Sequence, residues 1–113
     1  MHTPGYSFED AQVKLQYGSD LHDIGWAYAE LEAGRLVARL GWNGKGLFVF
    51  RVQGSEFEVN REPLLGIFPA GTKIKYNAHT DVRNPDGSIS TWAPSGSDAL
   101  AKDWVSVEML VKA

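Results

Sequence analysis

The sequence predicts an α+β fold: an N-terminal helix packed on an antiparallel β-sheet, with a short helix before the last strand, in a single small domain. Three observations carry this. The chain has 113 residues, which is room for one domain. Residues 24–31 space their apolar side chains as one face of a helix does. From residue 35 onward the pattern becomes alternation broken by Gly- and Pro-containing turns.

Composition narrows the function. With 43% hydrophobic residues the chain is of ordinary globular make-up, and a chain of this size buries roughly two-thirds of its unfolded surface. It has no cysteine, which removes disulfides, thiolate catalysis and Cys-type metal sites, and makes a reducing cytoplasm the default. A formal charge of -3 argues against binding long nucleic acid, which relies on neutralising many phosphates. No apolar run is long enough for a membrane span, and the opening Met1-His2-Thr3-Pro4-Gly5 does not begin an export signal.

In chain order, Ser7-Phe8-Glu9-Asp10 resembles a capping box and predicts a short helix reaching Tyr17 before Gly18. Asp23 caps a second helix that runs to Ala33 and ends at Gly34. Its stripe of Ile24, Ala27, Tyr28 and Leu31 faces the core, while Trp26 lies about 200° around the helix from Ile24, beside Ala29, Glu30 and Ala33. A tryptophan there packs at an edge, forms an oligomer interface or walls a ligand. Arg35 to Leu40 and Leu47 to Val52 read as a hairpin around the turn Gly41-Trp42-Asn43-Gly44-Lys45-Gly46. The second of these strands is apolar on both faces, so Phe48 and Phe50 are expected to meet a second subunit or a ligand.

Residues 54–71 read as a long connection pinned to the core by Leu64, Leu65, Ile67 and Phe68. Thr72 to Arg83 reads as one strand, with Lys73, Lys75, Asn77, His79, Asp81 and Arg83 on a polar face that is either solvated or a binding face. Asn84-Pro85-Asp86-Gly87 is a turn and Ser88 to Trp92 a strand. Ser97 or Asp98 caps a short helix to Lys102. Trp104 to Val111 closes the sheet with a core face of Val105, Val107, Met109 and Val111.

The chemistry these residues offer is binding rather than catalysis. His79 and Asp81, two apart on a strand, are the pattern an acid–base pair would take and equally that of any solvated strand. His2, His22 and His79 have no metal-ligand spacing, and the serines no nucleophile-elbow pattern. No catalytic residue, metal or cofactor is therefore expected. Trp26, Trp42, Phe48 and Trp92 can stack on a base, while Arg39, Lys75 and Asn43 can hold phosphate or ribose oxygens.

Two motifs in order resemble a known family. The stretch Gly25-Trp26-Ala27 through Leu31, then Glu32-Ala33-Gly34, Val37-Ala38-Arg39 and Gly41-Trp42-Asn43-Gly44-Lys45-Gly46, looks like the opening of the Thoeris anti-defence 2-like family. Asp86-Gly87, Trp92, Ser95, Asp98, Leu100-Ala101 and Asp103-Trp104 resemble its close. Two departures are visible: residues 1–22 extend the usual start, leaving 23–113 as the family domain, and Gly96 stands where a glutamine commonly follows the serine.

The resemblance implies a phage protein that assembles as a homotetramer in the cytoplasm of the infected bacterial host. It would sequester cyclic nucleotide immune signals, cyclic ADP-ribose isomers of Thoeris or cyclic dinucleotides of CBASS, without cleaving them. Under this reading Trp26, Trp42, Phe48 and Trp92 supply walls, and Arg39, Asn43, His79, Asp81, Ser95 and Asp98 supply polar contacts. Competing with an immune receptor calls for nanomolar affinity, about -12 kcal/mol, and hence a nearly enclosed pocket that subunit interfaces can build. The alternatives are an oligomeric phage accessory protein that binds a protein partner, and an enzyme that degrades the signal.

Overall fold

Helix α1 spans Ile24–Glu32, and its ends show why it starts and stops there. Asp23 is extended and its Oδ1 accepts the Trp26 amide at 3.0 Å, which satisfies one of the amides a helix start leaves over. At the other end Gly34 takes φ +87°, a conformation that costs glycine least. Its amide donates to the Leu31 carbonyl and the Arg35 amide to the Glu30 carbonyl, the paired bonds of a Schellman cap. The computed structural model describes residues 14–42 and 46–111, with the Val111 side chain left aside.

Eight strands follow the chain: β1 (Lys14–Tyr17), β2 (Leu36–Arg39), β3 (Phe48–Val52), β4 (Ser55–Glu58), β5 (Lys73–Tyr76), β6 (His79–Arg83), β7 (Ile89–Thr91) and β8 (Trp104–Val111), with helix α2 (Gly96–Leu100) before the last. Six of them form one antiparallel sheet in the order β1-β8-β2-β3-β6-β7, and β4 pairs with β5 alone. This is the α+β architecture the sequence predicts.

The main sheet carries an apolar cluster on each face. Towards α1 it presents Val37, Val49 and Trp104, which pack with Ala27 and Leu31 in a fully buried cluster. Leu31→Ala in such a setting costs about 3 kcal/mol. On the opposite face Ala38, Phe48 and Val107 form a second cluster, flanked by Leu15, Leu36, Phe50 and Met109. The strand pairings set this division: Val37 opposes Val49 and Ser106, whereas Ala38 opposes Val105.

Several expectations are corrected. Lys14–Tyr17, expected as the end of a helix, is a strand whose amides and carbonyls pair with β8; the rest of that expected helix lies outside the described residues. Tyr28 is 43% exposed, so the α1 stripe rests on Ala27 and Leu31 with Ile24 at its margin. Phe48 is buried within the chain, in the second cluster with Ala38 and Val107, and Phe50 packs against that cluster. Val105 and Val107 are core, as expected, although on the face turned away from α1.

The stretch 72–83 is two strands in two sheets. The chain breaks at Asn77–Ala78, where Gly54 lies so close that a Cβ there would be 2.6 Å from the Tyr76 carbonyl oxygen. Lys73 and Lys75 therefore face Glu58 and Glu56 across the β4–β5 ribbon, while His79 and Asp81 belong to the main sheet. The expected connection 54–71 contains β4 and a 3-10 turn at Leu64–Gly66. Leu65, Ile67 and Phe68 do not pin it to the core; all three are exposed, Ile67 at 68%.

Candidate functional site

The site grows out of the β2–β3 connection and the start of α2. Arg39, the last residue of β2, lies on the α1 side of the sheet, since it is two residues from Val37. Its guanidinium reaches two carboxylates: Nη1 donates to Asp98 Oδ1 at 2.9 Å and Nε to Asp103 Oδ1 at 2.8 Å. Asp103 Oδ2 in turn accepts the Gly41 amide at 2.8 Å, and the Asp103 carbonyl accepts the Leu40 amide. Glycine is required at position 41 for this approach, as a Cβ would sit 2.7 Å from Asp103 Oδ2.

Asp98 is the hub. Its Oδ1 also accepts the Trp42 indole N–H at 3.2 Å, and its Oδ2 accepts the Ser95 amide at 3.0 Å. The Ser95 hydroxyl returns the bond by accepting the Asp98 amide at 3.0 Å, so the two residues form a capping box at α2. The N-cap is thus Ser95, ahead of the expected Ser97 or Asp98, and the helix ends at Leu100. Burial pulls the Asp98 carboxyl upward, but the donors from Ser95, Arg39 and Trp42 outweigh it and hold the pKa below the ordinary carboxylate value. The Arg39 hydrogen bond does the same for Asp103.

Three tryptophans stand around this hub. Trp104 is fully buried and donates its indole N–H to the Asp98 carbonyl oxygen at 3.0 Å. Trp42 and Trp92 both stand nearly perpendicular to it, at 81°, with ring centroids 5.4 and 5.9 Å away. Trp42, Trp92, Leu47, Val82, Asn84 and Asp98 line a shallow, largely open pocket of about 260 Å³ on the α1 side of the sheet. The return of the β2–β3 connection beside it is tied down twice: Arg83 Nη1 donates to the Gly46 carbonyl at 2.8 Å and the Tyr17 hydroxyl to the Leu47 carbonyl at 2.9 Å. Burial pushes the Tyr17 phenol pKa up, which keeps it protonated as a donor.

The structure therefore brings together Arg39, Trp42, Trp92, Ser95 and Asp98 of the expected contact residues. It uses Arg39 and Asp98 chiefly on one another. Among the described residues lining the pocket there is no cation; its walls are indole and aliphatic surface with the polar groups of Asn84 and Asp98.

The other expected residues lie elsewhere. Trp26 stacks on His22, with centroids 3.9 Å apart and planes 11° from parallel, at the edge of the first cluster. His79 Nε2 lies 3.3 Å from Asp81 Oδ1, but Asp81 opposes Phe50 and so points to the second face. His79 also borders a separate cleft of about 260 Å³ with Tyr28, Leu31, Glu32, Arg51, Ala78 and Thr80. Asn43 lies outside the described residues. Among those residues no cluster of three His, Asp or Glu could hold a metal ion, and no helix is long and apolar enough to cross a membrane.

Sequence reasoning missed Asn84, Val82 and Leu47 as lining. Asn84 reads as a turn residue, which it is, and its Nδ2 donates to the Ser88 and Ser90 hydroxyls at 3.1 and 2.9 Å. That leaves its Oδ1 as an acceptor at the pocket rim.

Fold and site together define a small α+β protein whose sheet carries a tryptophan-walled pocket ordered by one guanidinium and two carboxylates. The comparisons give the family. Residues 22–107 match the model of the Thoeris anti-defense 2-like domain, and the chain belongs to that family. A relative named Thoeris anti-defense 2, from Bacillus phage SP01, is 34% identical over 92 residues, covering 72% of this chain and 89% of the relative. Membership supports a phage anti-defence role.

Proposed function

We propose that this chain is a non-enzymatic sponge that binds a cyclic nucleotide immune signal and holds it intact. The signal is a cyclic ADP-ribose isomer of Thoeris or a cyclic dinucleotide of CBASS, and the protein works as a homotetramer in the cytoplasm of the infected host. The observation that carries this reading is the pocket walled by Trp42 and Trp92. An indole stacked on a base contributes roughly 1–3 kcal/mol, and Asn84 Oδ1 is placed to accept from an exocyclic amine or a ribose hydroxyl.

Size supports assembly. Pockets that bury most of a drug-sized ligand hold roughly 300–1,000 Å³, more than the 260 Å³ found in one chain. A cyclic dinucleotide overhangs it, and no cation stands among the described residues lining the pocket; in this reading donors for the phosphates come from beyond those residues, a neighbouring chain included. The exposed run Leu65, Ile67 and Phe68 offers apolar surface for such contacts.

The test is native mass spectrometry with a panel of cyclic ADP-ribose isomers and cyclic dinucleotides, followed by denaturation and identification of the released molecule. The expected result is a tetramer that gains ligand mass and releases it unchanged. Release of a linear product would make the protein an enzyme. No uptake by any species, together with retention of a host protein in a pull-down, would make it an interaction module.

A further inference from the structure

We propose that Arg39 and Asp103 are positioning residues for the pocket, which fix Trp42 without touching the ligand; this rests on the pocket being the ligand site. Neither residue lines the pocket. Yet Trp42 is held at both its backbone and its side chain by groups that one guanidinium organises. The backbone side is Asp103, whose carbonyl takes the Leu40 amide and whose Oδ2 takes the Gly41 amide, so the turn leading into Trp42 hangs on one residue. The side-chain side is Asp98 Oδ1, which accepts the Trp42 indole N–H and Arg39 Nη1 together. Arg39 Nε closes the unit on Asp103 Oδ1, and the Trp42 amide donates to the Arg39 carbonyl.

The geometry needs a planar fork. A guanidinium presents donors in two fixed directions, and here they meet two carboxylates that lie five residues apart in sequence, one at the start of α2 and one before β8. A lysine ammonium is a single point and would satisfy one carboxylate, leaving the other to turn away. With Arg39 committed to both acids, the unit's formal charge is that of one excess carboxylate, which is the opposite of an anion-binding site. The ring that stacks is thereby set before the ligand arrives, and ordering it costs nothing on binding.

Asp103→Asn separates positioning from contact because the two roles predict opposite signs. If Arg39 held a ligand phosphate, removing a competing carboxylate would free it and tighten binding. If Arg39 and Asp103 position Trp42, the nitrogen of the introduced side-chain amide turns a donor towards the Gly41 amide or the guanidinium, the turn loosens and binding weakens. The measurements are isothermal titration with cyclic ADP-ribose and near-ultraviolet circular dichroism, with the Trp42 contribution defined as the wild-type spectrum minus that of Trp42→Phe. The expected result is loss of most of the Trp42 dichroism, about tenfold weaker binding, and no further loss when Asp103→Asn is added to Trp42→Phe. Arg39→Lys should behave in the same way as Asp103→Asn.

Unchanged dichroism in a folded Asp103→Asn protein overturns the proposal, as does equal or tighter binding. If cyclic ADP-ribose does not bind the wild type, that ligand reading fails on its own, and the dichroism still decides whether Trp42 is held by Asp103. Should Asp103→Asn fail to fold, Arg39→Lys provides the same two readings.

Discussion

Trp104 donates its indole N–H to the Asp98 backbone carbonyl at 3.0 Å inside a core where Trp104 has no exposure at all. The bond joins the main sheet to α2, and the same Asp98 presents its carboxylate to Trp42. One buried indole thus supports the geometry of another that walls the pocket. Trp104→Phe removes this donor, leaves the Asp98 carbonyl with the Ala101 amide alone at 3.3 Å, and opens a void where the indole's second ring packs. The expected cost is about 2–4 kcal/mol, read as a lower urea midpoint at unchanged slope.

Stacking assigns different costs to the two pocket walls. Trp42 packs against both clusters, whereas Trp92 packs only against the first. Trp92→Ala is expected to weaken binding of a cyclic nucleotide by roughly 1–3 kcal/mol per ring lost, with the fold retained in far-ultraviolet circular dichroism. Trp42→Ala is expected to weaken binding similarly and to lower stability more, without unfolding the chain. Unchanged affinity in a folded Trp42→Ala protein would remove that residue from the site.

Acid should expose the carboxylate hub. Asp98 and Asp103 both have folded-state pKa values below the ordinary one, so they bind fewer protons folded than unfolded near their titration. Their contribution to stability is fully present above the unfolded value of about 3.9 and is lost as pH falls through the lower folded value. Urea unfolding between pH 7 and pH 3 should show a decline concentrated below about pH 4. In Asp98→Asn, less stable at neutral pH, the decline should be shallower.

The Schellman cap makes a separate prediction. Nothing lies within 4 Å of the position a Cβ would take at Gly34, so Gly34→Ala creates no clash and pays only for φ +87°. A loss of about 1 kcal/mol in unfolding free energy is expected, with ligand binding unchanged because the cap is not part of the pocket. A larger loss would mean that the α1 end does more than turn the chain.

Assembly can be tested at the exposed run beyond β4. Ile67→Asp places a charge on a side chain that the chain itself leaves uncovered, so the fold should persist. If the protein is the tetramer proposed above and that run is buried between its copies, native mass spectra should move towards smaller species. An oligomer unchanged by the substitution would locate the interface elsewhere.

What is legible in the sequence is what is decided locally. Asp23 and Gly34 mark the ends of α1 because caps act within a turn, and in β8 the buried Val105 and Val107 alternate with the exposed Ser106 and Glu108. Lys14–Tyr17 misleads because its strand character comes from β8, at the far end of the chain, and not from its own residues. The alternation of Ile74, Tyr76 and Val82 conceals the break at Asn77, where Gly54, distant in sequence, closely approaches the chain. Trp42, Trp92, Ser95 and Asp98 can be singled out as residues, but their arrangement cannot. Arg39 meets Asp98 and Asp103 across 59 and 64 positions, a pairing no spacing rule supplies. The burial of Phe48 is hidden for a related reason, since only the full sheet brings Ala38 and Val107 beside it.

The place of β8 between β1 and β2 bears on how the chain comes to exist. β8, the last of the eight strands in sequence, sits inside the sheet, so β1 and β2, although both present early in synthesis, are bridged only once residues 104–111 are available. Trp104, which supports both pocket indoles, arrives in the same segment. Folding of the sheet is therefore expected to wait for β8, at the slower rates typical of sheets closed by distant partners. A fragment ending before residue 103 would lack the core and the pocket together, so that proteolysis of nascent chains should yield no partly active species.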